Sequence, residues 1–278
     1  MVRRTSWIEY NATSWCDEAN LSGVGWIVDA EILTVFNSFI YLRERLHTRP
    51  HLYAEELEFL SFAAKRCPLS CAQILQDLWV LYELKEKRSG YFVEFGACDG
   101  VTLSNTLLLE KTFGWQGALA EPARAWHDAL RTNRSCYISS KCVYRTDGAR
   151  IMFRETDIRE LSTLEELKHL DFHAPARDSG AQYEVETISL SNFLKEARAP
   201  KEIDYLSIDV EGAELDILKS FDFDEYNIKL ITIEHNFADQ RQEICDILER
   251  FGYRRKFMQL SMFDDWYVRP DLLLAGCE

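Results

Sequence analysis

A chain of 278 residues that is 47% hydrophobic and 28% charged is long enough for one large domain, or one domain with an appended segment, and too apolar to be disordered. Its net charge of -14 sets the surface against nucleic acid phosphate and anionic membrane and favours a neutral or cationic small-molecule partner. The basic start Met1-Val2-Arg3-Arg4 leads into a polar stretch rather than the apolar core of a signal peptide. No run of about 18 apolar residues occurs, so a cytoplasmic chain without a membrane span is expected. The eight cysteines include no C-x-x-C pair and read as reduced thiols, buried as small hydrophobes.

Residues 1–28, with Trp7, Trp15 and Trp26, read as an irregular arm packed on the body. Ile32, Leu33, Phe36, Phe39 and Ile40 recur at three- and four-residue spacing and predict a helix over 29–46. A second helix is expected over 54–66, stopped by Cys67-Pro68. Ser70 would cap a third over 71–87, which Ser89-Gly90 closes. The expected division is therefore a helical extension over 1–88 and a ligand-binding domain over 89–278. The extension could serve as a lid, a sheet cover or the face of a homodimer, and the sequence leaves these open.

The run Tyr91-Phe92-Val93-Glu94-Phe95-Gly96-Ala97-Cys98-Asp99-Gly100 reads as a strand breaking into a glycine turn, with a helix over 101–111 behind it. That design offers backbone N–H groups and a helix N-terminus to a ligand. A second strand ends in Ala120-Glu121-Pro122, and Glu121 stands 21 positions beyond Gly100. A carboxylate there can accept hydrogen bonds from both hydroxyls of a ribose. A helix over 123–133, a third strand within 135–143, a hairpin at Asp147-Gly148, a short polar helix over 161–170 and a flexible loop over 171–182 follow. A strand over 183–188 and a helix over 191–197 lead to Ile203-Asp204-Tyr205-Leu206-Ser207-Ile208-Asp209-Val210-Glu211-Gly212-Ala213-Glu214, a buried strand ending in acids. Leu230-Ile231-Thr232-Ile233-Glu234-His235-Asn236 repeats that plan. A helix over 241–251 and two closing strands, 253–258 and 266–268, joined by a polar turn near Phe263-Asp264-Asp265, complete an α/β alternation.

Four of these blocks together resemble the FkbM family of S-adenosylmethionine-dependent methyltransferases: 93–100, 120–122, 204–214 and 233–236. The resemblance covers roughly residues 90–270, and its most specific part is Ile208-Asp209-Val210-Glu211-Gly212-Ala213-Glu214. Ser207 departs from it, standing where many relatives have Lys, and Cys98 replaces a small or polar turn residue. The resemblance implies a Rossmann-like class I methyltransferase, with a seven-stranded, mostly parallel sheet and an antiparallel terminal hairpin. It implies O-methylation of a small molecule, at a sugar or natural-product hydroxyl or carboxyl. By position Gly96, Ala97, Asp99 and Gly100 would cradle S-adenosylmethionine, with Glu94 toward its amino group and Glu121 and Pro122 at the ribose. Ser104 and Asn105 would lie near the methionine carboxylate, and Asp209 near the sulfonium.

A hydroxyl acceptor needs its proton removed. His235 and Glu211 are the first candidates for that role, and Glu234 is a third. No metal is assigned; Asp209, Glu211, Glu234 and His235 could together bind a divalent cation, as a minor alternative. Two other readings compete. A methyltransferase-like scaffold could bind without turnover. An NAD-dependent oxidoreductase lacks its G-x-G-x-x-G.

Overall fold

The computed structural model describes residues 30–48, 53–171 and 173–271. The N-terminal periodicity forms three helices, α1 (Ala30–Thr48), α2 (Ala54–Ala64) and α3 (Gln76–Glu83). The chain divides into two compact units, 1–55 and 56–278. Within the second unit aromatic rings pack together. Phe59 of α2 stacks on Phe257 at 5.3 Å, and Trp79 of α3 stacks on Trp266 at 5.1 Å. The third helix begins later than its apolar pattern suggests, because Leu75 takes a left-handed φ of 67°. Ser70 caps a turn instead: its hydroxyl accepts from the Ala72 N–H and donates to Asp77. The three tryptophans of the N-terminal arm lie outside the described residues.

From Tyr91 the chain alternates. β1 (Tyr91–Phe95), α4 (Leu107–Phe113), β2 (Gln116–Ala120), α5 (His127–Asn133) and β3 (Tyr137–Ser139) come first. Next come β4 (Cys142–Val143), β5 (Arg150–Glu155), β6 (Thr163–Leu164) and β7 (Ala181–Ile188). After α6 (Leu190–Glu196) follow β8 (Glu202–Ile208), α7 (Glu214–Lys219), β9 (Asn227–Glu234), α8 (Arg241–Arg250), β10 (Arg254–Lys256) and β11 (Asp264–Val268). The main sheet has seven strands in the order β10-β11-β9-β8-β1-β2-β3. Its strands from β9 to β3 are parallel, and β11 pairs antiparallel with both β9 and β10. The expected antiparallel terminal pair is therefore present, with β11 inside β10. Strands β4 to β7 form a second sheet, ordered β4-β7-β5-β6.

Both faces of the main sheet are covered, so its strands read as continuous apolar runs. Val93, Leu206 and Ile231 pack on one face with α6 and α8; Phe92, Tyr205, Leu230 and Trp266 pack on the other with α2 and α3. The second face turns polar toward the carboxyl ends of the strands, where Glu94, Ser207 and Thr232 stand in register. Tyr205 and Thr232 hydroxyls share a hydrogen bond there, and Thr232 also contacts Ser207.

Four stretches differ from expectation. Residues 101–106 form turns, because Asp99 and Glu94 capture their N–H groups, and the helix starts only at Leu107. Residues 161–170 form β6 and short 3-10 turns rather than a helix. Residues 173–182, expected as a flexible loop, carry the turn Ala174–Arg177, whose Arg177 is wholly buried. Asp264 and Asp265, expected in a turn, are buried at the start of β11.

Candidate active site

The carboxyl ends of β1, β2, β8 and β9 open into one cleft of about 170 Å³. Its floor is the β1–α4 turn. Gly96 takes a φ of 77°, and a Cβ on it would fall 1.8 Å from the Asp209 carbonyl oxygen. Only glycine lets β1 pass β8 so closely. The Gly96 N–H donates to Ala120 and the Asp209 N–H to Phe95, so three strands converge on this point. Cys98 is also left-handed, and its N–H donates to Glu121 Oε2 at 2.9 Å. The other oxygen of Glu121 accepts from the Ala123 N–H at 2.7 Å. Burial pushes the Glu121 carboxyl up to about 7 despite these two donors.

Glu94 is the centre of a buried network. Its carboxylate accepts from the Thr106 hydroxyl (2.5 Å), the Asn105 N–H (2.7 Å) and the Ser104 hydroxyl (3.2 Å). Arg134, with a fully buried side chain, lies 3.6 Å from Glu94 and pairs with Glu110 at 2.7 Å. Arg134 also donates to Ser104 Oγ and Thr106 Oγ1. Asn105 donates from Nδ2 to Ser207 Oγ, while its buried Oδ1 has no partner among the described residues. A buried acceptor left in this state costs about 1–3 kcal/mol unless a ligand supplies a donor.

The acidic side of the cleft comes from the block after β8 and the end of β9. Asp209, Glu211 and Glu234 each bring a carboxylate oxygen within 4.8 Å of the others. Burial pushes Asp209 up to about 6. Burial and then the charge of Asp209 push Glu211 and Glu234 well above the ordinary carboxylate range. Glu211 takes a left-handed φ of 59° and pairs with Arg177. Glu214 accepts from the N–H groups of Val210 and Gly212, both at 3.1 Å, and from Gln240. It shapes the loop.

The turn, the acidic strand ends and the sheet order come together in a match to known sequences. Residues 94–255, more than half of the chain, match the methyltransferase FkbM domain. The chain belongs to the FkbM methyltransferase family. This member of the family has a seven-stranded, mostly parallel sheet. It resembles a methyltransferase FkbM from Methylobacillus flagellatus, at 12% identity and a TM-score of 0.40 over 74% of this chain and 59% of that one. The chain thus spans less than two thirds of that relative. A methyltransferase from Pyrococcus furiosus aligns at 13% identity and a TM-score of 0.36, over 78% of this chain and 98% of that one. An O-methyltransferase from Bacillus cereus, solved with SAH, aligns at 14% and 0.35, over 81% and 94%. No curated protein matches the sequence.

Of the residues singled out in this FkbM chain, Glu94, Gly96, Ala97, Ser104, Asn105, Glu121, Pro122, Asp209, Glu211 and Glu234 line the cleft. Asp99 and Gly100 do not. The Asp99 carboxylate accepts from Val101 and Thr102 within its own loop, and Gly100 packs beneath Arg134. His235 is buried beside the cleft with both ring nitrogens engaged. Nδ1 accepts from the Phe237 N–H at 3.0 Å, so Nε2 carries the proton and donates to the Asp264 carbonyl at 3.1 Å. That leaves His235 no free nitrogen for a substrate proton. The sequence reading missed the far wall, where residues 159–162, Phe153 and His173 line the cleft. No motif marks them. It also missed Arg134 and Arg177, whose positions no turn or strand-end pattern signals.

Proposed function

We propose that this chain is an S-adenosylmethionine-dependent O-methyltransferase acting on a small molecule with a free hydroxyl or carboxyl group. The observation that supports it is the meeting, in one cleft, of the glycine turn, the Glu121 carboxylate at the end of β2 and the three carboxylates of β8 and β9. The residues fit the donor. Both Glu121 oxygens keep a second lone pair for a diol after accepting from Cys98 and Ala123. An acidic wall suits a positively charged sulfonium.

Bound S-adenosylmethionine supplies an already activated methyl group. The chain's work is therefore mostly alignment, which can contribute about 7–11 kcal/mol when the reacting groups are well oriented. Gly96, Ala97 and Cys98 let the ligand approach the backbone. Residues 159–162 and Phe153 cover the cleft and limit water. Glu211 or Glu234 would take the acceptor's proton, because both line the cleft and burial, then the charge of Asp209, raises each above the ordinary carboxylate range, which strengthens it as a base. Among the described residues no helix is long and apolar enough to cross a membrane. The acidic surface argues against nucleic acid as substrate.

Calorimetric titration with S-adenosylhomocysteine tests the reading, with Glu121→Ala as the comparison. The expected result is micromolar binding by the wild type and at least tenfold weaker binding by the variant, with circular dichroism showing both folded. A folded wild type that binds neither donor nor product would replace the enzyme by a silent scaffold.

A further inference from the structure

We propose that Leu103, Phe237 and Met262 form an apolar shelf at the mouth of the cleft, which holds the hydrocarbon part of a neutral amphiphilic acceptor while its hydroxyl enters. This names the acceptor class for the site described above and rests on that reading.

The three side chains are 44%, 65% and 59% exposed. Single exposed apolar residues are ordinary on a protein surface. These three are not ordinary, because each sits in a turn at a position that favours glycine. The Ser104 N–H closes a turn onto the Val101 carbonyl, and Leu103, the second central residue, has a φ of 57°. The Ala238 N–H closes a turn onto the His235 carbonyl, and its central pair, Asn236 and Phe237, has φ values of 42° and 57°. Asn followed by Gly is the preferred pair for two left-handed positions. The Asp264 N–H closes a turn onto the Ser261 carbonyl, and Met262, the first central residue, has a φ of 52°. Glycine or asparagine would fit all three places without strain, whereas a bulky side chain there is an outlier. Strain of this kind gathers at ligand clamps and active sites.

The three turns share one end of the sheet. The N–H groups of His235 and Asn236 both donate to the Phe263 carbonyl, which seats the second turn against the third. The Phe237 ring stands edge-on to His235 at 5.2 Å, beside Glu234 of the cleft. Gln76 donates to Asp264, and Ala72 pairs with Leu103, so the loop before α3 ties the third turn to the first. Leu103 itself lines the cleft.

Size and charge select the occupant. The cleft holds about 170 Å³, below the roughly 300–1,000 Å³ of pockets that enclose a whole drug-sized ligand. With the methyl donor in place, little more than the acceptor's reacting group can enter, and the rest must lie on the rim. Asp209, Glu211 and Glu234 disfavour an anionic head group, so an alcohol fits and a fatty carboxylate does not. Three side chains cannot supply the about 800 Å² per partner of a standard protein interface. The net charge of -14 opposes an anionic lipid surface.

The test titrates the full chain calorimetrically with 1-butanol, 1-hexanol and 1-octanol, with and without saturating S-adenosylhomocysteine. Affinity should rise about two- to fourfold per added methylene, as expected for partial to full burial of each CH₂. A variant carrying Leu103→Gly, Phe237→Gly and Met262→Gly together should bind 1-octanol at least tenfold more weakly and lose the chain-length dependence. Its melting temperature should hold or rise, because glycine relieves the three turns. Met152→Thr, exposed on β5, should leave the alcohol series unchanged. Affinity independent of chain length, or a dependence that survives in the triple variant, would overturn the shelf. A triple variant that melts clearly lower or fails to fold would also overturn it, by showing the side chains to be packed structure. So would pelleting with phosphatidylcholine vesicles in place of alcohol binding, or a dimer in sedimentation that the triple variant dissociates. Chain-length-dependent binding in a protein that takes up no S-adenosylhomocysteine would leave the shelf standing and overturn the methyl-donor reading alone.

Discussion

Replacing Gly96 by alanine isolates the contact on which the cleft floor is built. Two costs add. A residue with a Cβ in the left-handed region costs roughly 1–2 kcal/mol. The new methyl would lie 1.8 Å from the Asp209 carbonyl oxygen, a backbone atom that cannot rotate away, so β1 or β8 must shift. Overpacking of that kind costs about 1–3 kcal/mol. The total is about 3 kcal/mol or more, and for a unit of this size the melting temperature should fall by about 6–12 °C. Gly148→Ala is the matched comparison. It also has a positive φ, at 68°, but nothing lies within 4 Å of its new Cβ. It should lose only the conformational part, about 1 kcal/mol. Differential scanning calorimetry measures both. The Gly96 variant should also lose S-adenosylhomocysteine affinity, because the shift moves Asp209; the Gly148 variant should not. Equal stability losses in the two variants would refute the claim that the approach of β8 dictates glycine at this position.

The buried acids give the protein an unusual stability profile with pH. Burial raises Asp209 to about 6, Glu121 and Glu214 to about 7, and Asp264 to about 8. Each raised acid binds protons more tightly in the folded chain, so its stabilisation is full below about pH 4 and is lost as pH rises through 6–8. Against burial, Arg134 holds Glu110 at about 2, which stabilises above pH 4.5 and is lost toward pH 2. The urea midpoint should therefore peak near pH 4–5 and fall by pH 8.5; a steady rise to pH 8.5 would contradict the burial argument. Arg177→Met strips the partner from two buried carboxylates, Asp171 and Glu211, and should cost about 3–5 kcal/mol in urea unfolding. A loss below 1 kcal/mol would mean that the pairs form no part of the packed structure. His235→Asn should lower stability yet leave S-adenosylhomocysteine affinity within about twofold, since the ring's nitrogens bind backbone rather than ligand. A tenfold loss in a folded variant would return His235 to the site.

The sheet was legible because it is buried on both faces, so strands such as 203–208 and 230–234 read as mostly apolar runs that lead into acids. The cleft floor was legible because glycine and acidic residues at strand ends have few other uses. The wall was not. Residues 156–171 and 173–180 adopt a short strand and 3-10 turns too brief for any periodicity, and their order comes from long-range pairing. The Thr163 hydroxyl donates to the Glu211 carbonyl, and Arg154 pairs with Glu165. Helix starts were misread for a related reason. Apolar spacing over 101–106 suggests helix, but Glu94 draws the Asn105 N–H and Asp99 draws those of Val101 and Thr102. His235 looked catalytic because sequence shows a strand end and not the carbonyl beside it.

The block from Ile208 to Glu214 does more than hold a ligand. Asp209 and Glu211 face the cleft, whereas Glu214 folds back onto Val210 and Gly212 and closes the loop. Gly212 has a φ of 119°, and a Cβ there would meet Leu170 at 3.0 Å and Leu167 at 3.5 Å. The glycine therefore makes room for the far wall. Arg177 completes that docking, reaching Leu161 and Asp171 on the wall and Glu211 on the loop. A substitution in the wall that altered its packing on Gly212 would consequently move Glu211 as well, even at residues remote from the cleft. Glu211 is thus positioned jointly by the loop after β8 and by a segment that carries no motif.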